Sequence, residues 1–572
     1  MFIGYLFKIS GTVVGLFIPK IMAHILDEIV PSVKLNENYI ELLLWSLLMI
    51  ACALIDRFCN VFANQRAALA STQAVNKLRY DLYEKMLTLS GRQTDKVGIP
   101  SLVSRLTSDS YNIHTCFNIF QRMGVRATIL LFGGLAISAT LDPIMTLTFV
   151  ATLPFVFAIV FTISRRGVPF YTKVQSSVDG MVRVMREDVS GIRVIKALSK
   201  EDYERERFDK ANTDTVKNEL KASGIMAASG PFISLCMNMG LVLVIVVGAY
   251  RVNIGAAKPG VVVAFLTYFT IILNAVISVN RIFIIYSKAS ASAKRVFEII
   301  DSENDLLIEK LPEDYRENAD APIVEFKNVY FSYGDIENER EISEEKYVLS
   351  DVSFKLNKGE TLGIIGATGA GKTTIISLLM RYYDVTKGEI LINGRNIKTY
   401  DLSELRTMFG TAFQNNVIFA DTIRENISFG RDLSEEEIVR ALTASDAYRF
   451  VKEKEGELDH VASIKGADFS GGQKQRMYVA RALAGKSEII VLDDSASALD
   501  YKTDAKIREN LRNDYSSSTL ITIAQRISSV MKMDNIIVLE DGKITAQGNH
   551  EELMASSEIY KEIAATQLGS LS

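Results

Sequence analysis

The segment Gly366-Ala367-Thr368-Gly369-Ala370-Gly371-Lys372-Thr373 follows the spacing GxxxxGK[ST]. Its chemistry is that of a polyphosphate cradle. Glycines let backbone N–H groups close around phosphate oxygens, and Thr374 opens a helix, predicted over Thr374–Met380, whose N-terminus adds positive potential. Lys372 is placed to bridge the β- and γ-phosphates of a nucleotide, and the Thr373 hydroxyl to ligate Mg2+. Farther along, Ile489-Ile490-Val491-Leu492-Asp493 reads as an apolar strand ending in a carboxylate suited to hold Mg2+ through water. Between them, Phe469-Ser470-Gly471-Gly472-Gln473-Lys474-Gln475-Arg476 precedes a helical run, Met477–Leu483. Ser470, Gly471, Gly472 and Gln473 form a second anion-binding surface at that helix start.

These groups need a scaffold. Short β-rich runs at Thr361–Ile365, Ile489–Leu492, Thr519–Ile523 and Ile536–Leu539 alternate with helical patterns. Residues 322–572 are therefore predicted to be an α/β domain with the phosphate loop after a strand. The first 300 residues have a different solvent. Apolar runs fall at about 2–26, 40–63, 117–140, 143–164, 226–249 and 260–286. Each is long enough to cross a hydrocarbon core of roughly 30 Å at about 1.5 Å per residue, so six spans are predicted. No small-residue cleavage site follows the first run, which argues against a signal peptide.

Lys77, Arg79, Lys85, Arg92, Lys96 and Arg105 lie between runs two and three, and a longer series from Arg165 to Lys221 lies between runs four and five. The opposite loops hold only Lys34, Arg251 and Lys258. The positive-inside rule then places both termini and both long connections in the cytoplasm. Val182, Met185, Val189, Ile192 and Ile195 recur at helical spacing. Each connection thus reads as a helical hairpin, either a solvated extension or a lever whose tip lies near Ser101–Asp109 or Val189–Leu198. Between Asp301 and Lys346, fifteen acidic residues face five basic ones, a solvated linker by composition, with 301–321 joining the two halves.

The 572 residues carry 64 Lys+Arg against 68 Asp+Glu, and the pI is about 5.9. That balance excludes a polybasic nucleic-acid binder. Six predicted spans exclude a DNA-associated ATPase of the same nucleotide-binding class. Mean hydropathy of +0.15 is high for a soluble enzyme. Cys52, Cys59, Cys116 and Cys236 form no CxxC pair and read as buried free thiols. The only histidines are His24, His114, His460 and His550.

With the loop, the Asp493 strand and Ser470-Gly471-Gly472-Gln473 in this order, the sequence resembles the ATP-binding cassette (ABC) family, whose signature is SGGQ. Six spans ahead of one cassette resemble a half-transporter of the exporter type, and importers usually keep these parts on separate chains. The implied fold is an α-helical six-span transmembrane bundle with long cytoplasmic helical extensions (residues 1–300), fused to an α/β P-loop ATP-binding cassette domain (322–572). The resemblance implies that Tyr333 stacks on adenine and that Gln414 senses Mg2+ and faces the membrane domain. It also implies that Ser497-Ala498-Leu499-Asp500 crosses to a partner cassette, with ATP between one chain's phosphate loop and the other's SGGQ. Such exporters usually have an amphipathic lead-in helix. Here the first span begins almost at residue 1, which implies that the chain starts late or is truncated.

Three positions depart from the pattern. Asp494 stands where the family has a glutamate as general base, Gln525 where a histidine contacts the γ-phosphate, and Ile464 where many exporters have a glutamate. Two substitutions at one γ-phosphate, beside intact Lys372, Thr373, Asp493 and SGGQ, resemble the degenerate-site subunit of bacterial heterodimeric multidrug-type exporters. The expected partner is a second half-transporter with intact Glu and His, in the inner membrane, moving a small amphiphile. The alternatives are a homodimeric lipid or peptide exporter with weak ATPase and a nucleotide-gated regulatory subunit. In the spans, Asp56, Arg57, Asn238, Asn274, Asn280 and Arg281 either line a cavity or lie near an interfacial end. Phe265, Tyr268 and Phe269 form either an aromatic wall for substrate or ordinary packing.

Overall fold

The structure, a computed structural model, describes residues 2–32, 39–227, 229–312, 315–316, 318, 320–334, 347–414, 416–495 and 497–568. The chain divides into two compact units, Met1–Leu87 with Ile99–Ser302, and Thr88–Gly98 with Glu303–Ser572.

The first unit is helical because a backbone in hydrocarbon must satisfy its own hydrogen bonds. Its helices are α1 (Phe2–Ser32), α2 (Tyr39–Thr88), α4 (Ile99–Leu141), α5 (Pro143–Ala197), α6 (Glu201–Ala227), α7 (Ser229–Asn253) and α8 (Pro259–Ile300). The short α3 (Gly91–Val97) belongs to the second unit. Among the described residues, five helices are long and apolar enough to cross a membrane: α1, α2, α4, Ser234–Asn253 of α7, and α8. The predicted run 143–164 opens α5, where the apolar helix among the described residues, Pro143–Phe155, falls short of that length.

Local signals fix the helix starts. Asp142 caps α5 by accepting from the Ile144 and Met145 N–H groups, and Pro143 takes the first turn, where no N–H is needed. The buried Asp142 also receives Arg251 Nη2 at 2.9 Å, so Arg251 of the sparsely charged loops is half of an ion pair. Asp27 accepts from the Gly260 and Val261 N–H groups at the start of α8. Phe265, Tyr268 and Phe269 are buried with Leu16, Phe149 and Val244, so packing wins over an aromatic wall. A Cβ on Gly240 would lie 2.1 Å from Phe269 Cζ, which is why glycine stands there. All four cysteines are free, with Cys59 buried.

The first predicted hairpin tip needs correcting. The chain reverses at Thr88–Gly98, and Ser101–Asp109 already lies in returning α4, whose Arg105–Asp109 forms a π-turn. The second reversal falls at Leu198–Lys200, between α5 and α6. The acidic segment is exposed yet is no free tether. Glu309 N–H donates to the Lys398 carbonyl, and the fully buried Arg381 donates to the Leu307 carbonyl. The run 335–346 lies outside the described residues.

The cassette unit contains two sheets. One has the order β2-β1-β4-β5, from β1 (Val324–Phe331), β2 (Leu349–Leu356), β4 (Lys387–Ile392) and β5 (Arg395–Asn396). The other has the order β10-β9-β3-β8-β7-β6, from β3 (Thr361–Gly366), β6 (Phe409–Ala412), β7 (Ile489–Asp493), β8 (Thr519–Ile523), β9 (Asn535–Glu540) and β10 (Lys543–Gly548). From β9 to β6 every pairing is parallel, and β7 is buried throughout, as its unbroken apolar run requires.

Candidate functional site

Register brings the distant motifs together. Ala412 of β6 pairs with Leu492 of β7, Asp493 with Ile523 of β8, and Ile523 with Ile364 of β3. Gln414, Asp494 and Gln525 each lie two residues past one of these paired positions, beside the loop that leaves β3. They share the carboxyl edge of the parallel sheet, where α/β folds bind ligands. A cavity of about 190 Å³ is lined there by Lys372, Thr373, Thr374, Gln414, Asp493, Asp494 and Gln525, with Thr368, Gly369 and Gly371 from the loop.

The loop is shaped for close approach. Gly369 and Gly371 have φ of +89° and +97°, and a Cβ on Gly366 would meet the Leu539 carbonyl oxygen at 2.0 Å. Ala370 turns into the core instead. Lys372 Nζ donates to the carbonyls of Gly366 (2.8 Å) and Ala367 (2.7 Å), spanning the loop. Burial pushes its ammonium pKa down, against the pull of Asp494 and Asp493. Lys372 and Thr373 open the following helix, α9 (Lys372–Leu379), two residues earlier than the predicted Thr374.

Asp493 is 1% exposed and its Oδ2 has no hydrogen-bond partner. Burial pushes its carboxyl pKa up, opposed by the Thr373 hydroxyl bond. An orphaned carboxylate oxygen beside a hydroxyl and an ammonium fits hydrated Mg2+ with a polyphosphate.

Asp494 is held differently. One oxygen, Oδ2, accepts from Gln525 Nε2 at 2.9 Å and from Gln414 Nε2 at 3.4 Å. Its backbone is left-handed, with φ of +49°, and burial raises its carboxyl pKa against the pull of Lys372 and Arg526.

The remaining predicted residues lie outside this cavity. Tyr333 is 46% exposed, held edge-on by Phe331 and Tyr383, with its hydroxyl 3.1 Å from Thr374 Oγ1. Ser470 caps α10 (Gly471–Leu483) in a reciprocal capping box with Gln473. The helix therefore starts at Gly471, well before the predicted Met477, because the signature serine supplies its cap. Gln475, which sequence reasoning missed, donates to Ser497 Oγ and accepts from Ala498 N–H, both at 2.9 Å, tying the Ser497–Asp500 loop to α10. Ile464 is 76% exposed.

Also missed was the seat of α3. Ser90 caps it and donates to Asp305, Gly91 N–H donates to the Tyr382 carbonyl, and Tyr383 O–H donates to Asp95 at 2.5 Å. A Cβ on Gly91 would meet Tyr383 Cζ at 2.6 Å. Tyr383 thus touches both the exposed Tyr333 and α3.

The family model for the ABC transporter transmembrane region matches residues 1–276, and that for the ABC transporter matches residues 349–497. An uncharacterised ABC transporter ATP-binding protein of Mycobacterium tuberculosis is 31% identical over 564 residues, 98% of this chain and 94% of its own. The chain belongs to the ABC transporter family. This transporter is also 30% identical over 568 residues to an uncharacterised ABC transporter ATP-binding protein of Bacillus subtilis, covering 99% and 96%. An ATP-dependent lipid A-core flippase 1 of Colwellia psychrerythraea is 29% identical over 537 residues, 93% and 88% of the two chains. The solved structure of a bacterial Atm1-family ABC exporter with ATP bound shares the fold, with a TM-score of 0.80 at 23% identity over 99% and 96% of the chains. With membrane region and ATPase on one chain, the protein is a multi-pass half-transporter of exporter fold.

Proposed function

We propose that this ABC half-transporter is the degenerate-site subunit of a heterodimeric exporter of amphiphiles in the inner membrane, with six spans and the cassette in the cytoplasm. The observation that carries the reading is Asp494 Oδ2, committed to the amides of Gln525 and Gln414. In this reading the phosphate loop, Lys372 and Tyr333 bind ATP. Thr373, Gln414 and Asp493 would hold Mg2+, which supplies charge neutralisation at the phosphates. Lys372 leaves the loop carbonyls for the β- and γ-phosphates, as its three donors allow. A water at the γ-phosphate needs a proton acceptor. Asp494 is one methylene short, and the amide of Gln525 cannot relay a proton, so turnover at this site is slow. Ser470 and Gly471 are exposed and Gly472 and Gln473 half-buried, which leaves this helix start open to complete the partner's site.

ATP binding favours the closed state by its affinity difference between states. Because α3 interrupts the membrane unit's sequence between α2 and α4 while folding with the cassette, cassette movement is delivered covalently to both helices. Gly91→Ala forces the new methyl into the Tyr383 ring, an overpacking of about 1–3 kcal/mol. ATP binding by the complex is expected to stay intact while substrate moved per ATP hydrolysed, measured in proteoliposomes, falls about tenfold. An unchanged ratio would remove α3 from the coupling route.

The test of the proposed function is ATP binding and hydrolysis by this chain alone in lipid, beside the chain co-expressed with the half-transporter encoded next to it. Binding without appreciable turnover alone, and vigorous turnover together, is expected. Brisk hydrolysis by the lone chain would overturn the heterodimer reading and favour a homodimer.

A further inference from the structure

Three cations meet inside the membrane unit: Lys8 of α1 and Arg122 and Arg126 of α4. Lys8 is 3% exposed, and the charges that act on it are Arg126, Arg122 and Asp56. Its ammonium donates to a neutral partner, Asn64 Oδ1, at 2.9 Å. Asp56 of α2 lies 3.7 Å from Arg126 and is already bonded by Asn60. Two positive charges are therefore in excess, in helices whose apolar setting makes uncompensated charge costly. Arg126 stands about fifteen residues from Leu141, the end of α4, and Asn274 about fifteen from Pro259, the start of α8. Both are roughly 22 Å along their helices, far from those ends.

These side chains surround a cavity of about 330 Å³ lined by Lys8, Asn64, Arg122, Arg126, Asn274 and Ser278. Arg122 belongs to a π-turn, Phe120–Gly124, a distortion that occurs mostly at functional sites. Guanidinium forks match the oxygens of phosphate or carboxylate.

We propose that this cavity is the cargo site and that the cargo carries an anionic head group, which Lys8, Arg122 and Arg126 hold. The missing counter-charge is the ligand. The inference rests on the export reading above but names what is exported.

The test uses the full complex in phosphatidylcholine nanodiscs with two probes of equal chain length, a pyrene-labelled dodecyl phosphate and a pyrene-labelled dodecyltrimethylammonium. Without ATP, the phosphate probe is expected to bind the wild type at least about tenfold more tightly than the ammonium probe, from the strength of charge-assisted bonds. Arg122→Gln removes an exposed side chain and should erase that preference, while Arg126→Lys, which keeps the charge beside Asp56, should retain it. Equal binding of both probes by the wild type, or an Arg122→Gln, Arg126→Gln variant that binds the phosphate probe as the wild type does, would overturn the proposal. Displacement of the probe by phosphatidylglycerol in the disc would identify a bilayer lipid as the source of the head group, and lack of displacement a free amphiphile. Both outcomes support the anionic class. ATP-dependent movement of the bound probe in proteoliposomes, compared with Lys372→Ala, judges the export reading separately. Selective binding without such movement leaves the site standing and removes export.

Discussion

The double substitution Asp494→Glu, Gln525→His is expected to raise hydrolysis at this chain's own nucleotide site by about 10²-fold, because misplacement on the 1 Å scale has effects of that size. On the degenerate-site reading proposed above, basicity is not what the wild-type site lacks. Burial already pushes the Asp494 carboxyl pKa up, so it takes a proton more readily than an exposed aspartate. The deficits are reach and engagement. The carboxylate is one methylene short, and Oδ2 accepts two amide hydrogens, at 2.9 and 3.4 Å. Glutamate extends the carboxylate toward the cavity, and histidine replaces a fixed amide donor with a ring that can either donate or accept. Either single change leaves one deficit in place, so the pair should exceed the product of the singles. The measurement is Mg-ATP turnover in the complex whose partner site has been disabled at its own catalytic glutamate. An unchanged rate would show that Asp494 and Gln525 do not occupy the base and γ-phosphate positions.

The site's parts were legible in the sequence to the extent that each is a local pattern. Glycine spacing announced the loop, an apolar run ending in acid announced β7, and Asp494 and Gln525 stood out as departures. The order β3-β8-β7-β6, which gathers Gln414, Asp494 and Gln525 along one edge, is set by strand pairings between residues far apart in the chain. The early start of α10 was encoded locally in the Ser470–Gln473 box, but glycines at the first two helical positions masked it. The seat of α3 left little trace in the sequence. Gly91 and Tyr383 gain meaning only when two segments almost 300 residues apart meet, and the lever was accordingly placed too late, at Ser101–Asp109. Arg122 and Arg126 were passed over because the apolar run around them carries the hydropathy signal. Their excess charge becomes visible only when Lys8 and Asp56 are brought alongside. Phe265, Tyr268 and Phe269 show the converse: aromatic spacing alone does not tell a wall from a core, and the close approach of Gly240 decides it.

Ser470→Ala is expected to lower steady-state ATPase of the complex by about 10²-fold, the usual loss when one preorganised donor to a developing anion is removed, whereas Asp494→Asn should change it by less than about twofold, as the proposed division of labour requires. The ranking follows from where each group acts. Ser470 Oγ accepts from Gln473 N–H within its own chain, which leaves its hydroxyl hydrogen free for a phosphate from outside. Gln475 braces the crossing loop against the same helix, so the surface is rigid before a partner arrives. A loss in Ser470→Ala has two possible origins, since removing a helix cap costs about 1 kcal/mol by itself. Ser470→Asp separates them. Aspartate caps as well as serine does but sets a negative charge against the incoming phosphate. If the surface serves a nucleotide on the partner, alanine and aspartate should both abolish most turnover, although only alanine loses the cap. If Ser470→Asp keeps wild-type turnover, Ser470 is a helix cap and nothing more. A greater loss from Asp494→Asn than from Ser470→Ala would place the productive site in this chain and reverse the division of labour.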